Sequence, residues 1–215
     1  WNIHKPLPIN QLFNTRVEKE PRKPFDVMNP SDIARVGKRI QQYLLERLYT
    51  FAWPHPVPAR DLIDAVVSSP GDDLVDVMDR IRALQRLDGK QTLLRAAKVV
   101  ERTHNILKGA TLRQQDVDAG QLKEPLEHQL WERYKQHKDR LKELIQHKSY
   151  AEATSVYGEV FFEPLHEFFA RVMVNVKDEA LQQNRLALMR SINALYTEHI
   201  ADLSKLTILQ QEDVT

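Results

Sequence analysis

Four polar side chains on one predicted helix have the types and spacing of an RNA contact surface. They are Arg95, Lys98, Arg102 and Asn105, at intervals of 3, 4 and 3 residues. A helix places residues with this spacing in one narrow strip. Arg and Lys pair with backbone phosphates, and an Asn amide both donates to and accepts from an exposed base edge. The strip is therefore a candidate RNA-binding face, with an ordinary solvated face as the alternative.

A second candidate set lies towards the C-terminus. It consists of Asn175, Lys177, Arg185 and Arg190. Arg185 is long enough to reach RNA, and it is equally able to pair with Asp178 or Glu179 and fix the preceding loop. The adjacent Phe168 and Phe169 have faces on which bases can stack, but we expect Phe169 to be a core residue.

Most enzyme chemistries lack their residues here. The chain has no cysteine, which excludes disulfides, thiolate metal sites and Cys nucleophiles. The six glycines are too far apart for a phosphate-binding loop, and neither HExxH nor GxSxG occurs. Glu163 and His166 form a single ExxH, whereas helical di-iron sites use that motif twice. We therefore expect no metal site and no catalytic residue in this chain.

Helical periodicity runs through most of the sequence and predicts an all-α bundle. The predicted helices cover residues 31–51, 59–68, a segment beginning at Asp72 and Asp73, then 90–108, 125–147, 150–161, 165–174 and 178–206. Tyr43 and Phe51 fall on the apolar stripe of the first of these. Gly109 is placed to end the fourth helix, and Pro125 is compatible only with a helix start. Pro164 is expected to split or kink the helical segment around it. The mixed charges of residues 133–148 are typical of a solvated helix face, with phosphate contact as the weaker alternative.

The ends of the chain differ from this pattern. Residues 1–30 contain five prolines and no sustained period, which predicts an extended connector. Residues 31–208 form the predicted helical domain, and 209–215 a tail. The chain begins at Trp1 without an initiator Met, which suggests a piece of a longer protein. No apolar run is long enough to span a bilayer, so no membrane partner is expected.

Charge alone decides little about partners. The chain has 31 Lys plus Arg against 30 Asp plus Glu. Any affinity for RNA must therefore come from a local basic patch rather than from net charge.

Two segments resemble one known family. Residues 168–206 contain, in order, a Phe pair, VMV, an acidic pair, NRLALM and ADLSKL, and residues 102–108 read RTHNILK. Both are similar to the C-terminal region of the β subunit of bacterial and organellar glycyl-tRNA synthetases, over roughly residues 30 to 208. The sequence departs from that family's usual residues at Glu101, Ala170 and Gln182.

The resemblance implies a helical anticodon-binding domain, of the kind also seen in arginyl enzymes. Its implied partners are the anticodon stem-loop of tRNA(Gly) and the catalytic α subunit or region. By the same implication, Lys108 joins the candidate RNA contacts. Aminoacylation, with ATP and Mg²⁺, belongs to another part of the parent ligase, in the bacterial cytoplasm or the plastid stroma. This chain itself would be non-catalytic and serve protein biosynthesis by positioning tRNA.

Two other functions stay open at this point. One is the related domain of an arginyl-type synthetase. The other is a helical scaffold that binds only protein, for which we expect an exposed apolar stripe, in place of a basic one, along the fourth helix.

Overall fold

The predicted all-α bundle is confirmed. A computed structural model describes residues 30–51, 53, 57–71, 73–113 and 116–211, and within these residues it contains helices and no β-strand. The α-helices are α1 (Pro30–Arg47), α2 (Arg60–Val67), α3 (Leu74–Gln85), α4 (Gln91–Leu107), α5 (Pro125–Gln146), α6 (Tyr150–Arg171), α7 (Glu179–Thr197) and α8 (Ile208–Gln211). Short 3₁₀ turns lie at Ala119–Gln121 and Leu203–Lys205. No helix in the described part of the chain is long and apolar enough to cross a membrane.

Local sequence signals set several helix ends. The Asp73 carboxylate accepts a hydrogen bond from the Val75 N–H at 2.9 Å and caps α3. Gly109, at a φ of +77°, follows the end of α4 in a conformation that favours glycine. Pro125 is the first residue of α5, where its missing N–H costs no hydrogen bond.

Helix α4 forms the centre of the bundle. It packs against α6, α7, the Leu203–Lys205 turn and α8, and α6 also covers α5. The buried residues of α4 are Leu93, Leu94, Ala96, Ala97, Val99, Val100 and Thr103. They spread around much of the helix, so α4 has a wider core-facing surface than one apolar stripe provides.

The predicted division of residues 150–174 into two helices at Pro164 is wrong. α6 is one continuous helix, with Pro164 inside it. Phe161 and Leu165, on either side of the proline, are buried in the same core. Packing on both sides offsets the roughly 3 kcal/mol that a proline costs in a helix interior.

The last predicted helix is too long. α7 ends at Thr197, and the backbone N–H of Asp202 donates to the Ala65 carbonyl of α2 at 2.8 Å. Asp202 then caps the next turn by accepting from the Ser204 N–H. A contact between residues far apart in sequence thus redirects a segment whose apolar spacing is helical.

Three further expectations concern the apolar stripe of the first helix, the C-terminal tail and the N-terminal connector. Tyr43 and Phe51 are 53% and 46% exposed, so they do not belong to a buried stripe. Leu209, assigned to the tail, is buried in α8. The predicted connector lies outside the described residues, except Pro30, which begins α1.

Gly158 allows the close approach of α6 to α4. A Cβ at this position would lie 3.0 Å from the Ala96 nitrogen and 3.3 Å from the Thr92 carbonyl oxygen. Both are backbone atoms of a buried helix and cannot move aside independently. We expect Gly158→Ala to lower the free energy of unfolding by about 1–2 kcal/mol despite alanine's better helix propensity, as measured by urea denaturation.

Gly37 provides the matched control, because a Cβ there meets nothing within 4 Å. Gly37→Ala in α1 is expected to leave stability unchanged or raise it by up to about 1 kcal/mol. Equal stability changes in the two variants would contradict the close-packing argument.

Candidate nucleic-acid interface

The predicted basic strip on α4 faces a neighbouring helix over much of its length. The Arg95 guanidinium carbon lies 5.7 Å from the centre of the Phe162 ring on α6. Arg102 Nη1 lies 2.7 Å from His166 Nδ1, also on α6. Both arginines are therefore engaged by α6, and His166 of the single ExxH contacts an arginine. Among the described residues, no group of three or more His, Asp or Glu side chains is placed to hold a metal ion.

Lys98 is also engaged. Its side chain is 14% exposed, and Nζ lies 3.6 Å from a Glu101 carboxylate oxygen. The candidate strip is therefore not a continuous open face, since α6 and Glu101 contact its first three cations. Asn105 and Lys108, at its C-terminal end, are exposed. α4 also lacks the exposed apolar stripe expected of a protein-binding scaffold, because its aliphatic side chains up to Val100 are buried.

Arg185 has a structural position. It is 4% exposed, and its Nε donates to Glu127 of α5, which is completely buried. Nη1 donates to the Met173 carbonyl at 2.7 Å. The alternative pairing with Asp178 or Glu179 is wrong, because those acids contact Lys123 and Arg113 instead. Buried in this way, Arg185 is not available to RNA in this structure.

Glu127 completes this buried cluster. One of its carboxylate oxygens accepts from Arg185, and the other accepts from the backbone N–H groups of Lys123 at 2.6 Å and Glu124 at 3.1 Å. The cluster thus joins α7, the N-terminus of α5 and the segment that follows α6. A buried carboxylate and guanidinium are tolerated together because each supplies the opposite charge and satisfied hydrogen bonds.

Asn184, next to Arg185, holds the loop before α5. Its Oδ1 accepts from the Asp118 N–H at 2.8 Å, and its Nδ2 donates to the Asp118 carbonyl at 2.9 Å. Gln183 makes the equivalent pair of contacts with Arg113 and Thr111. The polar residues of the NRL sequence therefore fix loops within the domain.

The remaining candidates converge at one end of the bundle. Arg95 contacts Phe162 and Arg102 contacts His166, so α4 and α6 run parallel and their C-termini lie at the same end. We call this surface, residues 105–113 and 171–178, the loop end. Its exposed polar residues are Asn105, Lys108, Thr111, Arg113, Arg171, Asn175, Lys177 and Asp178. Arg171 is absent from the sequence-based candidates, because only the packing of α6 beside α4 brings it here.

Asp178 is the acid of the loop end and already pairs with Lys123, whereas three cations of this surface form no ion pair with a described residue. A hydrogen bond from the Leu181 N–H, together with the nearby Lys123, holds the pKa of Asp178 below its usual value. Within the described residues, Lys108, Arg171 and Lys177 form no ion pair. They leave a local excess of positive charge that a phosphate backbone can occupy.

Two other candidates lie apart from these cations. Arg190 lines a groove between α5 and α7 rather than the loop end. Phe168, not Phe169, is the fully buried member of the aromatic pair; Phe169 is half-buried, edge-on to Phe168 at 5.4 Å. Phe169 packs against the core from this half-buried position, so its expected core position is confirmed only in part.

Residues 97–200 match the family model of the DALR anticodon binding domain. This segment contains most of α4, all of α5 and α6, and α7. The chain carries a DALR anticodon-binding domain. The anticodon-binding domain implied by residues 102–108 and 168–206 is confirmed, since the DALR match spans the first segment and most of the second. The glycyl resemblance itself is confirmed by the relatives that follow.

Curated proteins that match most of the chain share one name. The chain is 34% identical over 202 residues to the glycine–tRNA ligase β subunit of Dichelobacter nodosus, an alignment covering 94% of this chain and 28% of that protein. The same subunit of Coxiella burnetii is 34% identical over 170 residues, covering 77% and 24%. That of Desulforamulus reducens is 30% identical over 177 residues, covering 82% and 25%. The chain with its DALR domain thus spans about a quarter of the length of these curated relatives.

Proposed function

We propose that this chain binds the anticodon stem-loop of tRNA(Gly) as part of a glycine–tRNA ligase β subunit. The observation that carries the proposal is the DALR match over residues 97–200, which includes the exposed cations Lys108, Arg171 and Lys177 at the loop end. The glycyl names of the relatives favour this function over an arginyl-type domain. All three relatives are bacterial, which supports the bacterial cytoplasm over the plastid stroma as the place of action.

The loop end has the chemistry that a bent RNA loop requires. The ammonium groups of Lys108 and Lys177 act as point charges, and the guanidinium of Arg171 is a forked donor. Together they can bind phosphates on successive nucleotides. Asn105 and Asn175 supply amides that can donate to and accept from the edges of unstacked bases. We retain Asn105, Lys108, Asn175 and Lys177 as RNA contacts and add Arg171. We treat Arg95, Lys98 and Arg102 as supports whose charges raise the local potential.

Aminoacylation is assigned to other parts of the parent protein. We infer that ATP, Mg²⁺ and glycine bind in the catalytic α subunit or region, with which the parent β subunit assembles. The contribution of this domain is then positional. Binding energy at the anticodon orients the acceptor end of the tRNA towards the distant active site.

The triple variant Lys108→Ala/Arg171→Ala/Lys177→Ala tests the proposal. In gel-shift titrations of the 215-residue chain with tRNA(Gly), we expect affinity to fall about tenfold or more at low salt, since three charge-assisted contacts are removed. The slope of log Kobs against log salt should become shallower by about 2, because each phosphate contact contributes roughly 0.7–0.9.

The control removes the same charge elsewhere. Arg82, Arg86 and Lys90 lie around the end of α3 and the start of α4, away from the loop end, and their triple alanine variant is expected to bind nearly as the unchanged chain does. An equal loss in both variants would show that only net charge matters. Equal affinity of the unchanged chain for tRNA(Gly) and for an anticodon-altered copy would rule out anticodon reading.

A further inference from the structure

Met173, at the loop end, is the most exposed large apolar side chain in the described part of the chain. It is 71% exposed, whereas Val172 and Val174 on either side of it are buried in the core. The VMV sequence thus buries its outer residues and presents the central one to solvent. Folding does not require an apolar side chain at such a position, because its surface stays in water.

The backbone of Met173 is held so that the side chain stays outside. Its carbonyl oxygen accepts a hydrogen bond from Arg185 Nη1 at 2.7 Å, and Arg185 is paired with the completely buried Glu127. The N–H of Val172 donates to the Phe168 carbonyl at 2.7 Å. Met173 could turn inward only by leaving a buried guanidinium without this acceptor. Its outward position is therefore set before any ligand binds.

The exposed neighbours of Met173 are polar. Arg171 and Asn175 are each two residues away, so their Cα atoms lie within about 7 Å of that of Met173. Lys177 follows two residues later, and like Arg171 it forms no ion pair within the described residues. The Oδ1 of Asn175 accepts from Gln182 Nε2 at 3.2 Å, which leaves its Nδ2 hydrogens for a ligand.

A nucleotide combines the groups that this surface can bind. Its phosphate is an anion for Arg171 or Lys177, its base has a flat face for Met173, and the base edge carries acceptors for the Asn175 amide. Methionine packs favourably on aromatic faces and is among the side chains that proteins insert beside unstacked bases. A protein partner fits less well, because a single exposed methionine is far smaller than the apolar patch of a protein interface.

We propose that Met173 packs against the face of one unstacked base of the bound anticodon loop. The inference rests on the proposed RNA function and adds an apolar contact to a site otherwise made of charges and amides. It also gives the buried pair of Arg185 and Glu127 a part in binding, since that pair fixes the backbone that carries Met173. An apolar contact releases no counterions, so this part of the affinity does not depend on salt.

Gel-shift titrations of the 215-residue chain with anticodon hairpins of tRNA(Gly) test the contact. Met173→Ala is expected to bind the intact hairpin about three- to tenfold more weakly, because a methionine contact with an aromatic face is removed. Met173→Leu keeps an apolar side chain of similar volume and should bind within about twofold of the unchanged chain. The salt slope of Met173→Ala should equal that of the unchanged chain, since no phosphate contact is lost.

Hairpins that lack the base at one loop position at a time locate the contact. At one position, Met173→Ala and the unchanged chain should bind with equal affinity, because the base that Met173 contacts is already absent. At the other positions the difference between the two chains should persist.

Val75→Ala is the matched control. Val75 is 52% exposed at the start of α3, and the adjacent Asp76 accepts a hydrogen bond from Tyr150 at the start of α6. The 22 residues of α6 place that start about 33 Å from the loop end. Val75→Ala should therefore bind as the unchanged chain does. Urea denaturation midpoints of both alanine variants should match that of the unchanged chain, because both positions are exposed.

Two results would overturn the Met173 contact alone, provided that the triple variant of Lys108, Arg171 and Lys177 still weakens binding. One is equal affinity of Met173→Ala and the unchanged chain for the intact hairpin. The other is the same loss with every hairpin that lacks a base, since no single base is then contacted. Absence of any hairpin binding by the unchanged chain overturns both proposals.

Discussion

Replacing Arg185 by methionine is expected to lower the free energy of unfolding by about 3–5 kcal/mol, because it leaves the buried carboxylate of Glu127 without its counter-charge. Glu127 is completely buried, so water cannot replace the lost guanidinium. The Met173 carbonyl also loses its hydrogen-bond donor. Small domains are stable by about 5–15 kcal/mol, so this one substitution removes a large part of the total. Urea denaturation followed by circular dichroism measures the change.

Two comparisons make the result specific. Arg113→Met breaks the exposed pair with Glu179 and is expected to cost less than about 1 kcal/mol. Adding Glu127→Leu to Arg185→Met should restore part of the lost stability, since no unpaired charge stays buried. Recovery stays incomplete because the Lys123 and Glu124 amides lose their acceptor. A double variant less stable than Arg185→Met would contradict a buried ion pair as the cause.

The helices were largely predictable, because their signals are local. Asp73 caps α3, Gly109 follows α4, and Pro125 begins α5 as the sequence indicates. The errors occur where distant residues intervene. α7 stops early because Asp202 bonds to Ala65, and α6 passes through Pro164 because both of its halves pack in one core. Neither contact can be read from spacing within a single helix.

The candidate site was less predictable, for the same reason. Periodicity shows which α4 side chains share a face, but it does not show that α6 covers that face near Arg95 and Arg102. Arg171 gains its role only from the neighbours that packing supplies. A charged residue within an apolar stretch, such as Arg185 before LALM, is the one sequence signal that could have indicated a buried pair. Its partner Glu127 lies too far away in sequence to be identified.

The family resemblance and the residue-by-residue reading therefore have different strengths. The resemblance identified the domain correctly, although Arg185, within its NRLALM segment, is a buried structural residue. A family sequence pattern records what folding requires as well as what binding requires. Only the exposure of each side chain separates residues needed for folding from residues available for binding. On that basis the proposed phosphate contacts are Lys108, Arg171 and Lys177 at the loop end, in place of the cations of the α4 strip.

Arg80 is the other position where one substitution should have a large effect. It is 1% exposed, and its Nη1 lies 3.3 Å from the Ile200 carbonyl oxygen and 3.4 Å from those of His199 and Pro70. Its Nε lies 3.1 Å from Asp76. One guanidinium thus joins α3 to the chain that leaves α7. Arg80→Met is expected to cost about 2–4 kcal/mol in unfolding free energy, because several buried acceptors lose their donor.

The expected loss is below that of Arg185→Met, since Asp76 keeps other partners. Lys148 Nζ lies 3.3 Å from its carboxylate, and the Tyr150 hydroxyl donates to it. Arg82→Met, two residues away in an exposed pair with Asp79, is the control and should change stability by less than about 1 kcal/mol. Thermal and urea denaturation of both variants show whether the loss of stability comes from removing a buried guanidinium or merely from removing a positive charge. Equal, small losses would mean that water replaces the guanidinium, and that Arg80 does not hold the end of α7 in place.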